Sequence, residues 1–308
     1  MRIAVIGAGG IGGYFGGRLA EAGEDVFFIA RGRTLESLQS SGLRVESPKG
    51  NLVIPDVRVT NDPAEVGPVD AVVVAVKAWQ VTDVAPSLRP LLDAETAVLP
   101  LQNGVEAPGQ LAAGVGWEHV LGGLAKIISY VKEPGYVIHA GGDPFVALGE
   151  LDNRKSERVQ NLAGAFERAG VAVEIPADIQ VAMWEKFLFI ASVSGLGALT
   201  RASLGDMRSL AATRELLERA MREILAVGRA RGVALPDGVV QKSMAFLDTL
   251  PPEGTASMQR DIVAGRPSEL ESQNGAVVRL GKEAGAETPL HSFIYSCLLP
   301  MELAARRS

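Results

Sequence analysis

Arg2-Ile3-Ala4-Val5-Ile6-Gly7-Ala8-Gly9-Gly10-Ile11-Gly12 sets the reading of this chain. Five residues with an apolar core run into a glycine-rich turn. A helix-compatible stretch follows to about Ala22, Gly23 closes it, and Asp25-Val26-Phe27-Phe28-Ile29-Ala30 reads as a second strand. The unit spans about 30 residues, the length that a parallel strand–helix–strand crossover needs. In that context the glycines have separate jobs. Gly7 permits the tight turn, Gly9 lets a pyrophosphate approach the backbone, and Gly12 lets helix and strand pack closely. The helix N-terminus offers its free N–H groups to the anion. Gly7, Ala8, Gly9, Gly10, Ile11 and Gly12 are therefore the expected dinucleotide contacts.

The second strand ends Ile29-Ala30-Arg31-Gly32-Arg33, with no carboxylate to hold free ribose hydroxyls. A guanidinium at Arg31 suits a 2′-phosphate through charge-assisted bonds, so the expected cofactor is NADP.

Further strands are expected at 52–59, 71–76 and 97–101, with shorter ones at 137–139, 145–148 and 171–175 and a helix at 156–169. The run Ala71-Val72-Val73-Val74-Ala75-Val76 is apolar throughout, as a strand covered on both faces must be. From Asp178 onward the periodicity is helical. Helices are expected at about 178–194, 206–231, 238–248, 257–264, 269–284 and 289–304, broken at Gly232, Pro236, Pro251-Pro252, Pro267 and Pro289. The fold class is α/β: a Rossmann-type, doubly wound parallel sheet over 1–177, followed by an all-α domain over 178–308.

Composition narrows the function. With 308 residues the chain has room for two domains. Its 47% hydrophobic and 21% charged residues exclude a disordered polymer. Thirty basic against 36 acidic residues give a net charge of −6 without a basic stretch, which argues against nucleic acid. Cys297 is the only cysteine, so no internal disulfide can form, and no Cys/His cluster suggests a metal. The longest uncharged apolar run, 187–200, is shorter than the ~18 residues of a membrane span. A soluble cytoplasmic protein without a membrane partner is expected. The apolar faces of its helical half would suit a homodimer.

Several motifs in order carry a family likeness. Gly7–Gly12 with Arg31 is followed by Val76-Lys77-Ala78-Trp79, Leu101-Gln102-Asn103-Gly104-Val105 and Pro134-Gly135-x-Val137-x-His139. The helical half adds Trp184-Glu185-Lys186, Ser257-Met258-x-x-Asp261 and Glu269-x-x-x-x-Asn274-Gly275. Over essentially its whole length the chain resembles the ketopantoate reductases. The resemblance implies reduction of a 2-keto acid by NADPH, 2-dehydropantoate to pantoate in pantothenate biosynthesis.

Such chemistry needs an acid for the ketone oxygen as hydride reaches its carbon, and a nearby cation to stabilise the developing charge. By resemblance Lys186 is that acid, and a lysine's pKa falls readily on desolvation. The resemblance makes Glu269 the acidic partner near the nicotinamide, and places Lys77 and Asn103 by the cofactor. It assigns substrate contacts to Asn103, Lys186, Ser194 and Ser257. Without it, Lys186 reads as a lysine on an amphipathic helix, Glu269 as a first-turn acid, Asn103 as a turn former and Ser257 as a helix cap. His119, His139 and His291 show no catalytic spacing and read as structural.

The pattern departs from the family where substrate is held. The family's lysine helix carries asparagines four and eight residues after the lysine. Here those positions are Ile190 and Ser194, and a later asparagine is replaced around Ser203-Leu204. Ile190 offers no hydrogen bond. Either the pocket takes a more apolar ketoacid, or Ser192, Arg201 or Arg260 supplies the missing contacts. A β-hydroxyacid dehydrogenase has the same two-part outline, but the residues before Lys186 lack its glycine-rich loop. A non-catalytic NADP-binding regulator is the reading from another class. Such a regulator would need neither Lys186 nor Glu269.

Overall fold

Strand β1 (Arg2–Ile6) feeds helix α1 (Gly10–Glu21), which returns the chain to β2 (Asp25–Ile29). The computed structural model describes residues 1–307. They divide into two units: residues 1–102 with 107–179, and residues 103–106 with 180–307.

The first unit holds two sheets. One has the strand order β5-β2-β1-β6-β7 and is parallel throughout, with β5 (Val59–Thr60), β6 (Ala71–Val74) and β7 (Ala97–Pro100). All of β6 and β7 is buried, as their unbroken apolar runs require. The other sheet runs β10-β9-β3-β4, with β8 on β9; these are β3 (Leu43–Glu46), β4 (Leu52–Ile54), β8 (Leu121–Glu133), β9 (Tyr136–Glu150) and β10 (Ala172–Glu174). The remaining helices of this unit are α2 (Gly32–Ser41), α3 (Val81–Val84), α4 (Ala107–Val115) and α5 (Glu157–Arg168).

Helix α1 is glycine-rich because both its faces are crowded. A Cβ at Gly16 would sit 2.6 Å from the Phe28 ring, and one at Gly13 2.7 Å from Val137. Between them Tyr14, Phe15 and Leu19 join residues of both sheets in one core. Buried aromatic and leucine side chains contribute about 1.5–3 kcal/mol each to such a core. His139 is structural here: its Nε2–H donates to the Gly142 carbonyl (2.8 Å), leaving Nδ1 to accept the Ser47 hydroxyl (2.8 Å).

Several sequence expectations change. The span 52–59 is two strands in different sheets. Pro55, with no N–H to give a ladder, ends β4, and the chain re-enters the parallel sheet only at Val59. The strands expected at 137–139 and 145–148 are one strand, β9; Gly141-Gly142 sits at register shifts against β8 and makes no hairpin turn. Its partner β8, together with β3 and α2, lies outside the elements expected from the sequence, although Leu43-Arg44-Val45-Glu46 alternates as a strand does. The helix expected at 206–231 is two, α7 (Leu204–Ser209) and α8 (Ala211–Ala230), parted by extended Leu210.

The second unit is helical: α6 (Ile179–Thr200), α7, α8, α9 (Val239–Thr249), α10 (Ser257–Val263), α11 (Ala276–Ala284) and α12 (Pro289–Ala305). By length and composition α6 could cross a membrane, but 67% of its apolar window is buried within the protein, which makes it a core helix. It runs past its expected end at 194 because Gly195 and Gly197 make room for Asn274 and Gln259. Before α11 the chain makes a π-helical turn, Glu271–Gly275, in which the Gly275 N–H reaches back five residues to the Leu270 carbonyl.

Candidate active site

In the first unit the turn between β1 and α1 has the backbone that its glycines allow. Gly7 has φ +92°, outside the range that L side chains favour. A Cβ on Gly12 would lie 1.9 Å from the Gly7 carbonyl oxygen, so only glycine closes this turn. A Cβ on Gly9 would meet nothing within 4 Å, which leaves its backbone open to a ligand. Gly9 is also the N-cap of α1 and provides no side-chain acceptor, so the first N–H groups, from Gly10 onward, keep their donors. Ala8 is buried and Ile11 is half-buried beside them. The geometry fits a pyrophosphate.

Arg31 is exposed at the N-cap of α2, and its guanidinium has no hydrogen bond or ion pair among the described residues. Lys77 is exposed just past β6, with its ammonium 5.6 Å from the Trp79 ring. Gln102 braces the same edge of the sheet, its amide donating to the carbonyls of Val74 (2.9 Å) and Val76 (3.0 Å).

In the second unit two expected residues meet. Asn103 Nδ2 donates to Glu269 Oε2 at 3.2 Å, across 166 positions of sequence. Gln273 Nε2 reaches the same oxygen from the π-helical turn at 3.4 Å. Glu269 is buried, and its neighbour Ser268 is fixed by Glu302, which accepts the Ser268 N–H at 3.0 Å. Asn274 donates to the Ala191 carbonyl and to Nδ1 of His291, whose Nε2–H is held by the Ala220 carbonyl. Complete burial lowers the His291 pKa to about 4, so the ring is a neutral structural link.

Lys186 is half-buried in the middle of α6, and its neighbour Glu185 pairs with Lys242 at 2.9 Å. Ile190 follows one turn later, also half-buried. Ser194, a further turn on, is fully buried and its hydroxyl has no hydrogen-bond partner. Of the candidates to replace the family asparagines, Ser192 is spent on the Leu188 carbonyl (2.9 Å) and Arg260 donates to Thr255. Ser257 is half-buried at the first helical position of α10; the cap is Ala256. No hydrogen bond joins Ser257 to Asn103 or Glu269.

Sequence reasoning missed Gln273 and the ion pairs of Glu106, Glu271 and Arg279 that stand beside Asn103 and Glu269. No spacing rule links positions so far apart. Only the close succession Glu269, Glu271 and Gln273 hinted at a polar turn.

Comparison with known proteins covers nearly the whole chain. Residues 3–153 match the family model described as "Ketopantoate reductase PanE/ApbA", and residues 178–302 match its C-terminal counterpart. The chain is 31% identical over 298 residues to "Uncharacterized oxidoreductase YkpB" of Bacillus subtilis, covering 97% of this chain and 98% of the relative. It is 33% identical over 310 residues to the 2-dehydropantoate 2-reductase of Mesorhizobium japonicum, covering 94% of each. The crystal structure of 2-dehydropantoate 2-reductase from Geobacter metallireducens superposes with a TM-score of 0.90 at 33% identity, covering 97% of this chain and 99% of that one. The chain belongs to the ketopantoate reductase PanE/ApbA family and is an oxidoreductase of that family.

Proposed function

We propose that this protein reduces a 2-keto acid to the 2-hydroxy acid with NADPH, and that 2-dehydropantoate is its substrate. The observation that carries the reading is the Asn103–Glu269 contact, which gathers a strand-end asparagine and a distant buried carboxylate at one point. The Arg31 guanidinium, without a partner among the described residues, and the absence of a carboxylate at the end of β2 favour NADPH over NADH.

When bound, the cofactor supplies the hydride that adds to the ketone carbon. The N–H groups at the start of α1 hold its pyrophosphate, and Arg31 holds the 2′-phosphate. Lys186 draws the ketone oxygen into a charge-assisted hydrogen bond and gives it the proton as negative charge builds there. Asn103 orients the reacting groups and keeps the Glu269 carboxylate in place. Glu269 accepts a hydrogen bond and so fixes the direction of the donor it faces.

A second reading has its own observation. Ile190 occupies the turn after Lys186 and offers only hydrocarbon, while the Ser194 hydroxyl is fully buried. A ketoacid with an apolar substituent suits that face better than one bearing a hydroxyl. Loss of absorbance at 340 nm, with 2-dehydropantoate set beside a panel of aliphatic and aromatic 2-keto acids, tests both. Efficient turnover of 2-dehydropantoate upholds the first reading, and turnover of only apolar ketoacids replaces it with the second. No NADPH oxidation with any member refutes both.

A further inference from the structure

Residues 103–106 belong to the second unit although the first unit flanks them on both sides in sequence. Two side chains pin this short strip. At one end Asn103 donates to Glu269; at the other, Glu106 Oε2 accepts from Arg279 Nη2 at 2.9 Å. Between them Gly104 has φ +108°, with its Cβ position 3.0 Å from the Ser272 carbonyl, and Val105 packs against the helical core. The strip is seated along the π-helical turn.

Arg279, on α11, is the hub of the second pin. Its other terminal nitrogen donates to Glu271, which also accepts the Tyr295 hydroxyl of α12 at 2.5 Å. One guanidinium thus neutralises two carboxylates, of which Glu106 is the more buried. Without it, Glu106 and Glu271 would repel one another and Glu106 would favour solvent. Lysine, a single point charge, cannot reproduce the fork.

We infer that Arg279 is a positioning residue: through Glu106 it fixes the strip 103–106 and thereby keeps the Asn103 amide on the Glu269 carboxylate. The inference rests on the proposed role of Asn103 and Glu269, but its test does not rest on turnover alone. Arg279→Met should lower kcat/KM for the ketoacid roughly tenfold, as expected for losing one charge-assisted hydrogen bond. Arg279→Lys should recover only part of that loss. In an Asn103→Ala background Arg279→Met should add almost nothing, since both act on one contact.

Backbone hydrogen exchange gives the second readout. Arg279→Met should speed exchange across 103–106 while α6 stays protected, and Glu106→Gln, a milder change, should do the same if the methionine variant folds poorly. Unchanged exchange across the strip in Glu106→Gln and in any folded Arg279→Met overturns the inference even if no ketoacid is turned over. A drop in kcat/KM that simply adds to that of Asn103→Ala also overturns it. Failure of the wild type to oxidise NADPH refutes the proposed function instead, and leaves the exchange result to decide the positioning role.

Discussion

Gly195 of α6 lies directly against the side chain of Asn274: a Cβ there would stand 2.4 Å from Nδ2 and 2.9 Å from Oδ1. Asn274 cannot yield without losing its bonds to Ala191 and His291. Gly195→Ala is therefore expected to destabilise the protein by about 2–3 kcal/mol, the usual cost of overpacking a fixed polar group. Urea denaturation measures this, and a midpoint equal to that of the wild type would contradict it.

The turn glycines should separate folding from binding. Gly9→Ala puts its methyl into open space, so thermal stability should hold while NADPH affinity falls about tenfold or more, because the pyrophosphate can no longer approach. Gly12→Ala drives a methyl into a backbone carbonyl and should lower both. Fluorescence titration with NADPH beside a melting curve distinguishes them; equal losses in both variants would count against the assigned turn.

Arg31→Ala removes a guanidinium that has no hydrogen bond or ion pair among the described residues. The melting temperature should not move. NADPH should bind about 10–100 times more weakly, while NADH binding is unchanged, given ~1.5–3 kcal/mol for a charged hydrogen bond. Equal effects on the two cofactors would remove Arg31 from the 2′-phosphate.

Lys186→Ala should cut kcat by about 10²–10⁴, the range for loss of a general acid, with NADPH binding close to wild type. Turnover at the wild-type rate would assign the proton to another group.

His291 makes stability depend on pH. Its folded pKa, about 4, lies below the unfolded value of 6.5, so the unfolded chain takes up the proton first. Stability is then full above pH 6.5 and declines as pH falls from 6.5 toward 4, by up to about 3 kcal/mol from this residue. Urea midpoints across that range should show the slope, and His291→Gln should flatten it. A slope that survives the substitution would place the effect elsewhere.

How much of this was legible beforehand depended on whether the signal was local. The turn at Gly7–Gly12 could be read because its strand, glycines and helix are contiguous, and β6 because a strand covered on both faces has no polar position. Strand β8 was hidden because its second half exposes apolar Ile128, Tyr130 and Val131 and so shows no clean alternation; its order comes from pairing with β9. The end of α6 is not legible locally, because Gly195 and Gly197 are poor helix formers by themselves and distant side chains fill the space they leave. Asn103 and Glu269 were named from the family pattern, but their contact depends on tertiary folding across 166 positions. The buried, unpartnered Ser194 hydroxyl is likewise set by packing and not by residue type.

Because the helical unit borrows residues 103–106 from the middle of the first, the two halves are threaded through one another in sequence. No single cut separates them. A fragment starting near residue 180 would leave Glu269 without Asn103 and Arg279 without Glu106. Recombination between relatives at that junction would pair each helical half with a foreign strip, so the halves of this enzyme are not interchangeable parts unless the strip travels with the helices.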